Sequence, residues 1–386
     1  MSYAGERRIL DADSHLMELP DFLSVHADPA ILDHLPDVTG LSEMFGIENI
    51  EVGSPGEIHA HPAAVVEKLV ARGDRLLRGP KWYDALGSFN GAERGRALDL
   101  LGFERQIVFS SITVGALFAI SDLETVYGGL RAHNRSVAAF CSSDARLVGV
   151  AAVVLDDVAR ALDEIDASLE LGLGVIWIPA RAPGGRSPGH PDHDPIWARL
   201  EQARVPFVLH VGSAPLTIAD DWMNDGRPEN RTARGGAEVI GSKDLCVVYQ
   251  PAERFFSVLV LDGVLERFPG LRGGCMELGA GWVPAMIRRL DHAVEIWSRS
   301  EPQLAEMKRP PSEQIRAQLR FTPYPFENVG QLIRESNDEL YLFSSDYPHA
   351  EGGRDPLARF EHALEGVAEA SKERFYSRNL DVLLGP

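Results

Sequence analysis

The sequence predicts an α/β fold, a distorted TIM (β/α)8 barrel with insertions over its C-terminal face. Three observations predict it. Short apolar runs alternate with helix-period segments from about residue 105 onward, as parallel βαβ units require. Eight such runs can be marked, enough for one closed ring. Several of them end on a metal-binding side chain: Asp13 and His15, His210, Glu277 and Asp346. A barrel gathers the C-terminal ends of its strands on one face, so ligands distant in sequence converge there.

Taken in order, strands are expected at 8–16, 106–111, 146–154, 174–179, 206–211, 271–278, 318–322 and 339–345. Several are apolar on both faces, as buried parallel strands are. Between the third and fourth, Val158, Ala161, Leu162, Ile165 and Leu169 recur at three- and four-residue spacing, which predicts a helix packed on the barrel. The same period marks 195–205 through Ile196, Trp197, Leu200 and Ala203, and 255–268 through Val258, Leu259, Leu261, Val264 and Leu265. Two stretches, about 20–100 and about 212–248, break the alternation and are rich in Gly, Pro, Asp and Asn. They follow the strands that carry His15 and His210, so they are read as insertions over the active face of a single domain spanning 1–386.

Composition narrows the function. A chain that is 45% hydrophobic and 25% charged has ample core. Its 38 Lys and Arg against 57 Asp and Glu give a formal charge of −19, which repels phosphate backbones and anionic lipid. The expected partner is therefore a small-molecule substrate, with no nucleic acid and no membrane. Cys141, Cys246 and Cys275 form no CxxC pair and no disulfide framework. The N-terminal segment is no signal-type apolar region and no apolar run is long enough to span a bilayer, so a cytoplasmic location is expected.

Asp13 and His15 are two residues apart and share one face of a strand. His210 follows Pro206-Phe-Val-Leu at the tip of the fifth strand, where barrel active sites lie. Asp346 ends Tyr341-Leu-Phe-Ser-Ser, and an acid after so apolar a run is costly unless paired or bound to a cation. These four are the predicted metal ligands. Each has a plainer reading: a hydrogen-bonded core histidine, a loop cap, a helix cap or a salt bridge. A divalent ion lowers the pKa of bound water from 15.7 towards about 7, and Asp346 is then the expected base, with His349 as a proton relay or merely a loop histidine. Glu277 is a further acid–base candidate, unless it hydrogen-bonds the loop 279–282. Arg181, at the tip of the fourth strand, is placed either on a substrate carboxylate or in a surface ion pair. Trp82, with Tyr83 and Phe89, either walls a ligand pocket or packs a small satellite core.

The segments Asp11-Ala-Asp-Ser-His-Leu-Met-Glu18, Val208-Leu-His-Val-Gly212, Phe268-Pro-Gly-Leu-Arg272, Glu277-Leu-Gly-Ala-Gly-Trp-Val-Pro284, Phe321-Thr-Pro-Tyr-Pro-Phe-Glu327 and Ser344-Ser-Asp-Tyr-Pro-His349 together resemble the amidohydrolase-related family. More narrowly they resemble its branch containing aminocarboxymuconate-semialdehyde decarboxylase and the resorcylate decarboxylases. The resemblance spans nearly the whole chain and implies one divalent ion, usually zinc and sometimes manganese. It places the first-strand ligands on Asp13 and His15, the fifth-strand ligand on His210 and the last on Asp346. Such proteins commonly carry His-x-His or Glu-x-His on the first strand, so Asp13 departs from the pattern. The harder, more negative site favours Mn²⁺ somewhat, with Zn²⁺ still expected. Decarboxylases of this branch also carry a histidine at the end of the sixth strand, where this chain has Leu278 beside Glu277; alternation turns those two opposite ways. Glu18 and Asn134 occupy positions that look like family residues, Glu18 as a substrate contact. Relatives often form dimers, and the apolar helices are compatible with a homodimer.

Without the sixth-strand histidine, the site as read supplies metal, water and base. The leading expectation is therefore a metal-dependent hydrolase of a small carboxylic acid, ester, amide or lactone. The alternative is a non-oxidative decarboxylase of an aromatic or unsaturated acid, and a third is a metal-bearing scaffold without catalysis. A glycosidase would use two opposed carboxylates, for which Glu277 and Asp346 qualify, but the histidines at the strand tips argue against it. Gly128-Gly129 and Gly273-Gly274 lack the spacing of a nucleotide-binding loop.

Overall fold

The computed structural model describes residues 2–37, 39–50, 59–227 and 241–385. Among these residues, seven parallel strands follow one another in sequence order around a curled sheet: β1 Ile9–Leu16, β2 Phe103–Ser110, β3 Leu147–Ala152, β4 Val175–Trp177, β5 Phe207–Leu209, β6 Gly273–Cys275 and β7 Leu319–Phe321. The eighth expected strand, 339–345, is not a regular strand. Phe321 N donates to Leu340 O (2.8 Å) and Leu342 N to Phe321 O (3.0 Å) on one side. On the other, Ala12 N donates to Phe343 O (3.0 Å), Asp346 N to Asp13 O (2.9 Å) and His15 N to Tyr347 O (2.8 Å). This segment therefore closes the ring between β7 and β1 by scattered bonds. The ladder is interrupted because Phe343 N turns away to Phe375 O (2.9 Å) and β1 shifts register between Asp11 and Ser14.

Alternation along the strands sorts the core into two parts. Leu10, Ala12, Ile107, Phe109, Val150, Ala152, Val175, Trp177, Val208, Met276 and Leu342 fill one cluster, the barrel interior. Their neighbours Ile9, Val108, Ala151, Val153, Ile176, Phe207, Leu209, Cys275 and Phe321 pack outward in the other, against the helices. The helix expected between the third and fourth strands is Val158–Glu170, begun by the Asp157 side chain accepting from Arg160 N (3.1 Å). The next, Asp194–Ala203, starts with proline in its first turn and stops at Arg204 in the left-handed region. The single helix expected over 255–268 is two, Gln250–Leu261 and Val264–Arg267, because Gly263 adopts φ 74° between them.

The described part of the 20–100 stretch contains the helices Ala63–Val70 and Gly91–Leu101, and its Ile47 and Tyr83 form a small separate core with Met17 and Leu19. Phe45, Ile50, Trp82 and Phe89 pack on that core, so the satellite-core alternative describes Trp82, Tyr83 and Phe89. Among the described residues of the 212–248 stretch, the helical elements are short turns, Asp220–Met223 and Ser242–Leu245. The parts of the two expected insertions at 38, 51–58 and 228–240 lie outside the described residues. Among the described residues, no helix is long and apolar enough to cross a membrane.

Candidate metal centre

Asp13, His15, His210 and Asp346 meet at the C-terminal end of the barrel, and Glu277 and His349 join them. Each is between 1% and 6% exposed. His15 Nε2 lies 3.4 Å from Asp13 Oδ1, 3.3 Å from Glu277 Oε2 and 3.3 Å from Asp346 Oδ1. His210 Nε2 lies 3.3 Å from Asp13 Oδ1 and 3.1 Å from Glu277 Oε2. The ligand atoms of Asp13, His15, His210 and Glu277 all fall within 4.8 Å of one another, as do those of His15, Glu277, Asp346 and His349.

These separations fit a bound divalent ion. Ligand atoms held about 2.0–2.2 Å from one centre stand roughly 3–3.5 Å from each other. The imidazoles agree: His210 Nδ1 faces the carbonyl oxygen of Val211 (2.8 Å) and His15 Nδ1 that of Ser110 (3.4 Å). A carbonyl only accepts, so each ring keeps its proton on Nδ1 and turns a bare Nε2 lone pair to the cluster, as metal-bound histidines do. His15 Nε2 and Asp346 Oδ1 are buried without a hydrogen-bond partner, a costly arrangement that a cation relieves.

Two carboxylates reach the centre through unusual backbone. Glu277 and Asp346 both adopt φ 54°, in the left-handed region that L-residues rarely enter. Strand alternation would turn Glu277 away, since Met276 already belongs to the interior. The left-handed turn swings the next side chain inward as well, while Leu278 packs with the outer core. Such a backbone costs about 1–3 kcal/mol per residue and persists where the surroundings hold it. The loop 279–282 is bound by Glu327, which accepts from Ala280 N (3.0 Å), Gly281 N (2.6 Å) and Tyr324 N (2.7 Å).

Electrostatics separates the carboxylates. Burial pushes the Asp346 carboxyl up to about 7, with His15 opposing and Asp13 reinforcing. Burial would also raise Asp13, but His210 and His15 outweigh it and hold that carboxyl well below the usual range. Without an ion to take its Nε2, His15 is lowered by burial, yet the close approach and charge of Asp13 raise it above the ordinary imidazole value overall. His349 is held well below that value, first by burial and then by His15. Its ring stacks on His15 at 3.8 Å, its Nδ1 lies 3.3 Å from Asp346 Oδ1, and its Nε2 is 2.8 Å from Ser111 Oγ.

Other expected site residues are engaged elsewhere. Both Glu18 oxygens are taken by Ser111 N (3.0 Å), Ile112 N (2.8 Å), Thr113 N (2.9 Å) and Thr113 Oγ1 (3.0 Å), so Glu18 shapes the turn after β2. Arg181 donates to Phe118 O (2.9 Å) and Asp156 Oδ2 (2.8 Å), the ion-pair alternative. Asn134 ties its helix to β3, accepting from Ala152 N (2.8 Å) and donating to Ala152 O (3.1 Å). Trp82 adjoins the centre but lies between two rings, His349 at 4.6 Å and Phe45 at 4.7 Å, so its faces are stacked on protein. Sequence reading missed Ser111, Phe109 and Lys81. Phe109 stacks on His210 at 4.1 Å, and only its place near the end of β2 hinted at this.

A β/α barrel with buried histidines and carboxylates converging at its C-terminal end defines a class, the metal-dependent barrel enzymes. The family follows from the sequence: residues 57–379 match the amidohydrolase family, and the chain belongs to it. Solved structures share the fold. An amidohydrolase from Mycobacterium avium subsp. paratuberculosis K-10 is 24% identical, with 98% of this chain and 100% of that one covered at a TM-score of 0.72. A 2,6-dihydroxybenzoate decarboxylase from Rhizobium is 18% identical over 98% of each chain, with a TM-score of 0.62. A dihydroxybenzoic acid decarboxylase from Polaromonas sp. JS666, with bound manganese and the inhibitor 2-nitroresorcinol, is 16% identical over 98% of this chain and 97% of that one, at 0.60. No curated protein matched the chain.

Proposed function

We propose that this protein is a divalent-metal-dependent, non-oxidative decarboxylase of a small aromatic or unsaturated acid. The observation that carries the reading is the buried convergence of Asp13, His15, His210, Glu277 and Asp346, with His349 stacked on His15. The decarboxylases among the structural neighbours support this order over hydrolysis, the leading expectation from sequence. The donor set, richer in carboxylate than a His-x-His site, favours manganese over the zinc expected from sequence.

A bound divalent ion supplies Lewis acidity and positive charge for holding the substrate's carboxylate. The chain itself supplies the proton. Asp346 delivers it to the carbon that bears the carboxylate. The bond from that carbon to the carboxyl carbon then breaks, its electron pair stays with the unsaturated system, and carbon dioxide leaves. His349, 3.3 Å from Asp346 Oδ1, returns a proton to the spent carboxylate, its ring held by Ser111 and Trp82.

Hydrolysis remains the second reading because Glu277 stands beside the position where the resembling decarboxylases carry histidine, and a carboxylate there is a base for water. Manganese-loaded protein incubated with 2,6-dihydroxybenzoate and related hydroxybenzoates tests the order. Carbon dioxide release that vanishes in Asp346→Asn is expected. Cleavage of a lactone or ester panel with no release from any acid reverses it. Elemental analysis is expected to find one equivalent of manganese, lost in His210→Ala.

A further inference from the structure

Asp13 and Glu277 would neutralise a bound divalent cation while Asp346 holds its proton, and the whole chain carries −19. An acid substrate approaches such a chain against repulsion unless a cation at the mouth offsets it. Two nearby guanidiniums are committed. Arg181 is paired with Asp156, and Arg94 donates to Gly87 O, Gln106 Oε1 and His15 O.

Lys81 is differently placed. It is half-buried, and among the described residues its Nζ makes one hydrogen bond, to Gly353 O at 2.9 Å, in the loop that follows Asp346. An ammonium has three protons, so two remain for another oxygen. Its chain neighbour pins it there: Trp82 N donates to Pro348 O (3.1 Å), the Trp82 ring covers His349, and Trp82 itself adopts φ 57°. Burial lowers the ammonium to about 8, against the charges of Asp346 and Glu351, so it is still charged at neutral pH and within electrostatic reach of the centre.

We propose that Lys81 is a substrate-recognition residue that pairs with a negatively charged oxygen of the substrate, so that the site selects anionic acids over neutral analogues. This rests on the decarboxylase reading for the identity of the substrate as an acid. The chemistry is a single ammonium–oxyanion contact at the rim of the metal centre, supplied by the segment preceding Trp82.

The test uses the full chain loaded with manganese and two probes, 2,6-dihydroxybenzoate and its neutral carboxamide, with binding followed by tryptophan fluorescence and calorimetry. Wild type is expected to prefer the acid. Lys81→Met should weaken binding of the acid by roughly 10- to 100-fold, the range of a hydrogen bond to a charged group, and leave the carboxamide unchanged. Lys81→Arg should restore most of the preference. Equal weakening for both probes with a lowered Tm overturns the proposal in favour of a structural strap, and so does unchanged acid binding or a wild type that binds neither probe. Acid binding that depends on Lys81 without carbon dioxide release sinks the decarboxylase reading alone. Turnover with a KM indifferent to Lys81 sinks this inference alone.

Discussion

Two buried carboxylates two residues apart on β1, Asp11 and Asp13, are built into opposite surroundings. Asp11 is saturated with donors: Ser345 N at 2.8 Å and Ser345 Oγ at 2.5 Å, Gln106 Nε2 at 2.8 Å, and behind them Arg94 through Gln106 at 3.1 Å. Asp13, with Glu277 and Asp346, faces the Nε2 atoms of two imidazoles and other carboxylates. Burial raises Asp11 to about 7 although Gln106 and Ser345 resist it, whereas His210 and His15 overcome burial at Asp13. Burial alone therefore does not mark a functional acid. The mark is a set of ligand atoms turned towards one another at coordination spacing, for which only an ion is an adequate partner.

The largest effect that sharpens this contrast is on turnover. Asp346→Asn is expected to lower decarboxylation about 10²- to 10⁴-fold, the usual worth of a positioned proton donor, while leaving the metal-free chain as stable as wild type or slightly more so. A metal-free variant that melts well below wild type would place Asp346 with Asp11, among structural acids. Asp11→Ala should do the reverse. With Ser345 N and Gln106 Nε2 left without an acceptor, urea denaturation should show a loss of about 2–6 kcal/mol, while the folded fraction still binds one equivalent of metal.

A buried imidazole outside both groups gives a scale for acid sensitivity. His133 is held at about 4 by burial, with Asn134 only partly opposing, and its Nε2 lies 2.9 Å from Ser110 Oγ. It is neutral when folded, whereas the unfolded side chain takes its proton near 6.5. Its contribution is thus complete above about pH 6.5 and is lost as pH falls towards 4, by about 3 kcal/mol over the window. Urea midpoints measured between pH 4 and 7 should show that slope, and His133→Asn should flatten it. The smallest effect is at Trp82. Trp82→Leu removes the Phe45–Trp82–His349 stack and should cost about 0.5–1.5 kcal/mol beyond the area lost, with a lower kcat for the acid and an unchanged metal content. Loss of the metal would show that the stack holds His15 as well as His349.

Seven of the eight strands were legible because each is a short apolar run between Gly or Pro signals, a pattern that depends only on burial of both faces. The eighth was legible as an apolar run but not as a broken ladder, since Phe343 N bonds to Phe375 O across a contact that no local pattern encodes. The break at Gly263 was available in the sequence and was outweighed by the apolar period on either side. At the site, Asp13, His15, His210 and Asp346 were readable from their positions at strand ends. Glu18 was expected on the substrate, and Arg181 on a substrate carboxylate or in an ion pair, because a carboxylate that caps three amides and one that contacts a substrate look the same in sequence.

The amino-acid sequence alone determined the barrel and most of the convergence, because hydrophobic period and strand-end polarity are local properties that survive any packing. Tertiary structure decided how the site is finished. Glu277 turns inward through a left-handed residue, Glu327 holds the loop in its place, and Lys81 and Trp82 are brought from a segment more than two hundred and fifty residues before His349. Backbone strain and contacts between distant segments are settled only when the whole ring closes, and that is where the chemistry of this centre is set.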